Sequence, residues 1–162
     1  MTDARDTAGV IAPPPLIALA TVIVGVVLDW LLPAYVLTLL LSMTERIVIG
    51  AVLIAVGGGL AFPAILAFRS VGTHVEPWKP SRTLVTAGIY AYVRNPMYVG
   101  LAFLVVGIGI ALASDWTLVM LVAAAALIHV GVVKREERYL EAKFGEPYRQ
   151  YLATVPRYGW PV

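Results

Sequence analysis

The chain has 162 residues, 60% of them hydrophobic and 14% charged, with a mean hydropathy of +0.84. Soluble domains run about 45–50% apolar and about 25% charged, so an ordinary water-soluble globule is excluded and one integral membrane domain over 1–162 is expected. Cysteine is absent and the net charge is only +2, which excludes disulfides, thiol nucleophiles and Cys-metal sites and leaves no nucleic-acid signature.

The N-terminus lacks the basic start of a cleaved signal: Asp3 and Asp6 offset Arg5, and Pro13-Pro14-Pro15 stands before the apolar stretch. Leu16–Leu32 therefore reads as a retained membrane helix. About 20 apolar residues cross a bilayer, and four segments qualify as spans: 14–32, 45–68, 97–113 and 116–133. Residues 14–68 form the N-terminal spans, and 69–160 carry the motifs and a tail. Asp29, beside Trp30 and Pro33, is expected at the interface and solvated. Tyr35–Met43 is too short to span; it extends a neighbouring helix or lies in the interface. Gly57-Gly58-Gly59 in the second span predicts close helix approach.

From Arg69 to Ile89 the sequence is polar and irregular, a loop long enough to carry function. His74 reads there as a solvated side chain and Trp78 as an interfacial anchor. Ser114-Asp115 is the sole break between the third and fourth spans, and either residue can cap the fourth helix; 97–133 is thus a tight helical hairpin. After Val133, Tyr139, Leu140, Phe144, Tyr148, Tyr151 and Leu152 recur at helical spacing. Gly145-Glu146-Pro147 divides this tail into a helix ending near Phe144 and another starting near Pro147. Such a tail lies on the interface or folds over a cavity as a lid. No metal site is expected.

With four spans, every Lys and Arg except Arg46 falls on one side, together with both termini and the 69–96 loop. The positive-inside rule makes that side cytoplasmic.

Two polar clusters meet at this side. Asn95-Pro96 supplies an N-cap and an N1 proline for the third helix. Around that start stand Arg94, Tyr90, Tyr92 and Tyr98; a helix N-terminus with an adjacent arginine suits a carboxylate. Glu136-Glu137 emerges from the other arm of the hairpin. His129, seven residues before Glu136, shares its face in a regular helix, and a histidine within a span is a functional candidate. A cationic helix start facing carboxylates across an apolar cavity suits a zwitterionic amino-acid-like ligand with a greasy body, such as S-adenosylmethionine.

The ordered series Arg94-Asn95-Pro96-Met97-Tyr98-Val99-Gly100, Glu136-Glu137, Phe144-Gly145-Glu146-Pro147-Tyr148-Arg149-Gln150-Tyr151 and Val155-Pro156-Arg157 resembles the isoprenylcysteine carboxyl methyltransferase family. The related phospholipid N-methyltransferases share the Asn-Pro-Met-Tyr and Glu-Glu elements. The resemblance covers about residues 70–160. Many members carry His where this chain has Asn95, while the phospholipid enzymes carry Asn, so substrate identity rather than cofactor binding is what this position leaves open.

The resemblance implies an all-α, polytopic membrane methyltransferase dependent on S-adenosylmethionine and acting on a lipophilic small molecule or lipid. By position, Tyr90, Asn95, Pro96, Met97, Tyr98 and Gly100 would hold the methionine part of the cofactor, and His129, Glu136 or Glu137 its ammonium or ribose. Arg94, His129 and Arg157 are the catalytic candidates, and Tyr148 and Tyr151 line or close the chamber. A prenylcysteine carboxylate needs only a cation to position it, whereas an ethanolamine ammonium needs a base such as His129 or a Glu. The many arginines favour carboxyl O-methylation; lipid N-methylation is the alternative. An NADPH-dependent sterol-type reductase relative and a non-catalytic membrane protein are readings of other classes. The sequence does not specify an oligomeric state.

Overall fold

The computed structural model describes residues 6–159; Asp3 and Arg5, which bear on signal and topology, lie outside the described residues. The described chain is all helical. Its long helices are α1 (Pro14–Leu31), α3 (Met43–Ser70), α4 (Pro96–Ala111) and α5 (Asp115–Ile128). A short α2 (Val36–Leu40), a 3₁₀ turn (Gly88–Ala91) and the tail helices α6 (Lys134–Phe144) and α7 (Glu146–Thr154) complete it.

Local chemistry sets the boundaries. Prolines occupy the first positions of α1, α4 and α7, where a missing N–H costs nothing. Ser42 and Glu45 form a reciprocal capping box at the start of α3. Ser114 caps α5 by accepting from the Thr117 N–H at 3.2 Å. Asp115 plays no part in that cap. Its two oxygens accept the Val36 and Leu37 N–H groups, each at 3.0 Å, and so start α2. Within Tyr35–Met43, Val36–Leu40 is therefore a separate short helix, while Met43 opens α3. Asp29 is also not simply solvated. It accepts from the Ser114 hydroxyl and from the Trp116 N–H, tying α1 to the hairpin turn.

Glycine places α3 and α4 in contact. A Cβ at Gly57 would stand 2.6 Å from the Gly100 carbonyl oxygen, and one at Gly50 2.6 Å from that of Gly107. The two pairs, seven residues apart on both helices of the antiparallel crossing, bring backbone against backbone. Gly58 and Gly59 meet nothing within 4 Å, so only the first of the three glycines serves packing. Outward-facing side chains are apolar: Ile23, Val52, Phe62 and Val122 are all exposed. Among the described residues three helices, Pro14–Leu31, Met43–Ser70 and Asp115–Phe144, are long and apolar enough to cross a membrane. The fourth, α4, has 16 residues and measures roughly 24 Å at 1.5 Å per residue. It completes a transmembrane bundle packed along α3.

The hairpin's second arm does not stop at Val133. It continues into α6 through a π turn, His129–Val133, that inserts about one extra residue into the helical count.

Candidate functional site

The start of α4, the end of the α5–α6 helix, the 71–87 loop and α7 surround one cavity of about 80 Å³. Each wall is set by its local sequence. The 3₁₀ turn carries Tyr90 inward, 4% exposed, against Phe68 at 5.3 Å between ring centroids. The tail then docks on the approach to α4: the Arg94 and Asn95 N–H groups donate to the Pro156 and Arg157 carbonyls at 3.0 and 3.2 Å. Asn95 stands at the N-cap position without capping; its Nδ2 donates to the Arg157 carbonyl at 3.2 Å. In place of the expected side-chain cap, the Asn95 amide anchors the tail.

The two adjacent acids are held differently. Glu137 accepts Arg94 Nη1 at 2.9 Å and Arg157 Nε and Nη2 at 2.8 Å each. Both guanidinium groups are thereby committed to one carboxylate. Glu136 is half-buried and accepts the Tyr98 hydroxyl at 2.8 Å. Its second oxygen takes no hydrogen bond from another side chain among the described residues.

Among the described residues, two donors in the cavity wall are buried without any partner: the Tyr90 hydroxyl and Arg94 Nε. Leaving such groups unpaired costs about 1–3 kcal/mol apiece, so they mark where a ligand acceptor belongs. Burial pushes the Tyr90 phenol up; it stays protonated at neutral pH and serves as a donor. Burial does the same to Tyr148 and Tyr151. These two line the cavity from α7, and the Tyr151 hydroxyl donates to the Tyr90 carbonyl at 2.7 Å. The tail thus folds over the cavity instead of lying apart from it.

Of the residues named from sequence, Tyr90, Arg94, Asn95, Met97, Tyr98, Glu136, Glu137, Tyr148 and Tyr151 come together here. Pro96 is fully buried in the helix start, and Gly100 is spent on the α3 crossing. Arg157 does not line the cavity; it touches lining residues, its guanidinium on Glu137 and its carbonyl on Asn95. His129 does not line it: the π turn breaks the seven-residue register with Glu136, and His129 Nδ1 lies 2.8 Å from the Tyr158 hydroxyl. Sequence reasoning missed His74 and Glu76, which line the cavity from the loop; nothing in a polar loop distinguishes an inward histidine from a solvated one.

It also missed a strap formed by residues 6–12. Ile11 N–H donates to the Gly131 carbonyl, and Arg135 to that of Gly9. Asp6 takes Lys143 at 2.7 Å and the Tyr139 hydroxyl at 2.9 Å. That hydroxyl also accepts the Ser81 N–H at 3.0 Å, so strap, loop and α6 meet at Tyr139. Ala8 of the strap lines the cavity.

A family profile described as phospholipid methyltransferase matches residues 45–147. Protein-S-isoprenylcysteine O-methyltransferase of Xenopus laevis is 32% identical over 117 residues, covering 71% of this chain and 41% of the relative. The protein of the same name from Schizosaccharomyces pombe is 28% identical over 126 residues, covering 76% of the chain and 52% of the relative. Cobalt-zinc-cadmium resistance protein CzcN of Cupriavidus metallidurans is 31% identical over 80 residues, 49% of the chain and 37% of the relative. The chain thus spans only about two-fifths to one-half of the length of these relatives.

Proposed function

The chain belongs to the phospholipid methyltransferase family, and from that premise we propose that it is a membrane-embedded methyltransferase using S-adenosylmethionine on a lipophilic acceptor. The observation that carries this reading is the pair of unpartnered donors, Tyr90 O–H and Arg94 Nε–H, in the same cavity wall as Glu136. Two donors suit a carboxylate, and a carboxylate oxygen beside them suits an ammonium or ribose hydroxyls. These are the polar groups of the cofactor, so the donor set fits it.

When bound between Tyr90, Arg94 and Glu136, the cofactor would supply an electrophilic methyl group to the acceptor. In-line displacement asks the protein for alignment and dryness rather than covalent help. Tyr98 orients Glu136 through its hydrogen bond. Glu137 fixes Arg94 and Arg157 at the cavity's edge, making it a positioning residue. Tyr148, Tyr151 and the strap exclude water. A cavity of about 80 Å³ is far below the roughly 300–1,000 Å³ of pockets for ligands of cofactor size, so entry requires the strap and the 71–87 loop to move outward.

Carboxyl O-methylation of an isoprenylcysteine-like acceptor is the reaction favoured by the Arg94–Glu137–Arg157 triad, whose two cations on one carboxylate leave a net positive charge at the cavity's edge that attracts an anionic acceptor without a base. Lipid N-methylation keeps support from His74, a base in the cavity wall. Methyl-labelled donor incubated with the purified chain and a membrane lipid extract separates the two. Label released as volatile methanol by mild alkali identifies a methyl ester; label that stays non-volatile through alkali identifies a methylated amine; no labelled lipid at all sinks the methyltransferase reading. The site end of the bundle is assigned to the cytoplasm by its cations.

A further inference from the structure

A second groove, of about 430 Å³, is lined by Val130 and Leu152 together with Lys134, Arg138 and Arg157. Glu137 and Glu141 also line it. Glu137 is held by two cations, Arg94 and Arg157, whereas Glu141 shares Arg149, at 3.9 Å, with Glu146, which Arg149 holds at 2.9 Å. Among the described residues Lys134 and Arg138 form no ion pair. Arg138 spends one N–H on the Lys134 carbonyl, which brings the two cations to one turn of α6. The extra cation on Glu137 offsets the extra acid at Arg149, and the two positive charges of Lys134 and Arg138 remain.

The groove is continuous with an apolar track. Val119, Val122 and Val130 are 52%, 73% and 59% exposed, and Ala126 between them is exposed as well. Val119, Val122 and Ala126, three and four residues apart, make one stripe along α5. The stripe runs into the groove at Val130 of the π turn, where Lys134 and Arg138 of α6, both exposed, line the same walls. A stripe of bare valine ending in two unmatched cations is complementary to one kind of molecule: an aliphatic chain joined to an anion at the membrane surface.

We propose that this groove binds the phosphate of a membrane phospholipid whose acyl chain lies along the Val119–Val130 stripe. The site goes beyond the methyl-transfer reading and does not depend on it, because neither Lys134 nor Arg138 lines the cofactor cavity. Each Lys or Arg near a membrane surface contributes about 1 kcal/mol toward anionic lipid. Removing both cations should thus weaken binding about 30-fold.

The test is native mass spectrometry of the full chain in detergent, titrated with dioleoylphosphatidylglycerol, dioleoylglycerol and inorganic phosphate. The phospholipid should be retained, while the diacylglycerol and phosphate alone should not. Lys134→Gln/Arg138→Gln should weaken retention about 30-fold, and Val130→Trp, which obstructs the groove without altering charge, should weaken it too. Arg69→Gln/Arg82→Gln, which removes the same charge elsewhere, should leave retention unchanged. Equal loss in that control would overturn the proposal in favour of diffuse surface attraction. Undiminished retention in both groove variants would overturn it outright, as would a lipid-free dimer broken by Val130→Trp. S-adenosylhomocysteine binding, measured on the same variants, reports separately on the cofactor cavity.

Discussion

Glu137→Gln separates the duties of two neighbouring acids. The Glu137 carboxylate carries Arg94 on one oxygen and spreads Arg157 across both. Side-chain exposure is 6% for Arg94 and 15% for Glu137, so this half of the triad is largely out of water. Gln keeps the shape and one acceptor but removes the charge, leaving the Arg94 guanidinium uncompensated. Breaking a buried pair from one side costs about 3–5 kcal/mol. Arg157 is more exposed, and pairs of that kind are worth about 0–1 kcal/mol, so the Arg94 half dominates. At about 2–4 °C per kcal/mol for a chain of this size, the melting midpoint should fall on the order of 10 °C. Glu136→Gln retains an acceptor for Tyr98 and leaves no buried arginine bare; its midpoint should move by less than about 2 °C. Heating each variant in detergent while following tryptophan fluorescence reads both, the chain having four tryptophans. Equal midpoints for the two variants would refute the division of labour.

The α3–α4 crossing predicts that Gly57→Ala, whose Cβ would meet the Gly100 carbonyl at 2.6 Å, costs about 1–3 kcal/mol. Gly58→Ala, with nothing within 4 Å, should be neutral or stabilising by up to about 1 kcal/mol; a reversed order in thermal melts would place the helices differently. The strap gives a pH expectation. Lys143 and Tyr139 hold the Asp6 carboxyl below its ordinary 3.8, and Asp6 holds Lys143 above its ordinary 10.5. Asp6's contribution is present above 3.8 and lost as pH falls through its lowered value, while Lys143's is present below 10.5 and lost as pH rises through its raised one. Hydrogen exchange over residues 6–12, corrected for intrinsic rates, should therefore be flat from about pH 5 to about pH 9, and opening inside that window would dismiss the Asp6–Lys143 latch. Because the chain has no cysteine, single cysteines at exposed positions near Ser114 and Gly145, such as Leu112 and Glu146, can be labelled from either side of a membrane. They should react from opposite faces, and reaction from the same face would overturn the four-span arrangement.

The spans, the Ser114 hairpin and the meeting of the Arg94 and Glu136-Glu137 clusters were legible because each rests on local chemistry: apolar length, an N-cap, a charge bordering a hydrophobic run. The division of the tail at Gly145 was legible for the same reason, since its φ of 60° breaks the helix where the sequence carries Gly-Glu-Pro. What escaped depends on contacts distant in sequence. Asp115 caps a helix 79 residues upstream, and Asp6 reaches Lys143 across 137 residues. The register of His129 escaped differently: heptad counting assumes an unbroken α-helix, and the π turn at His129–Val133 carries no marker in a run of valines and glycine. Asn95 looked like a cap because its type and place are those of a cap; the Arg157 carbonyl that claims its amide is 62 residues away.

Isothermal titration of the purified chain with S-adenosylhomocysteine, run beside NADPH and repeated on Tyr90→Phe, tests the cofactor site most directly. The unpartnered Tyr90 hydroxyl predicts that the wild-type chain binds S-adenosylhomocysteine and ignores NADPH. Tyr90→Phe should bind about 2- to 10-fold more weakly, the worth of one hydrogen bond, while its ligand-free melting midpoint rises because an unpaired buried hydroxyl is removed. No heat with S-adenosylhomocysteine, or binding of NADPH in its place, would contradict a methyl-donor site between Tyr90, Arg94 and Glu136.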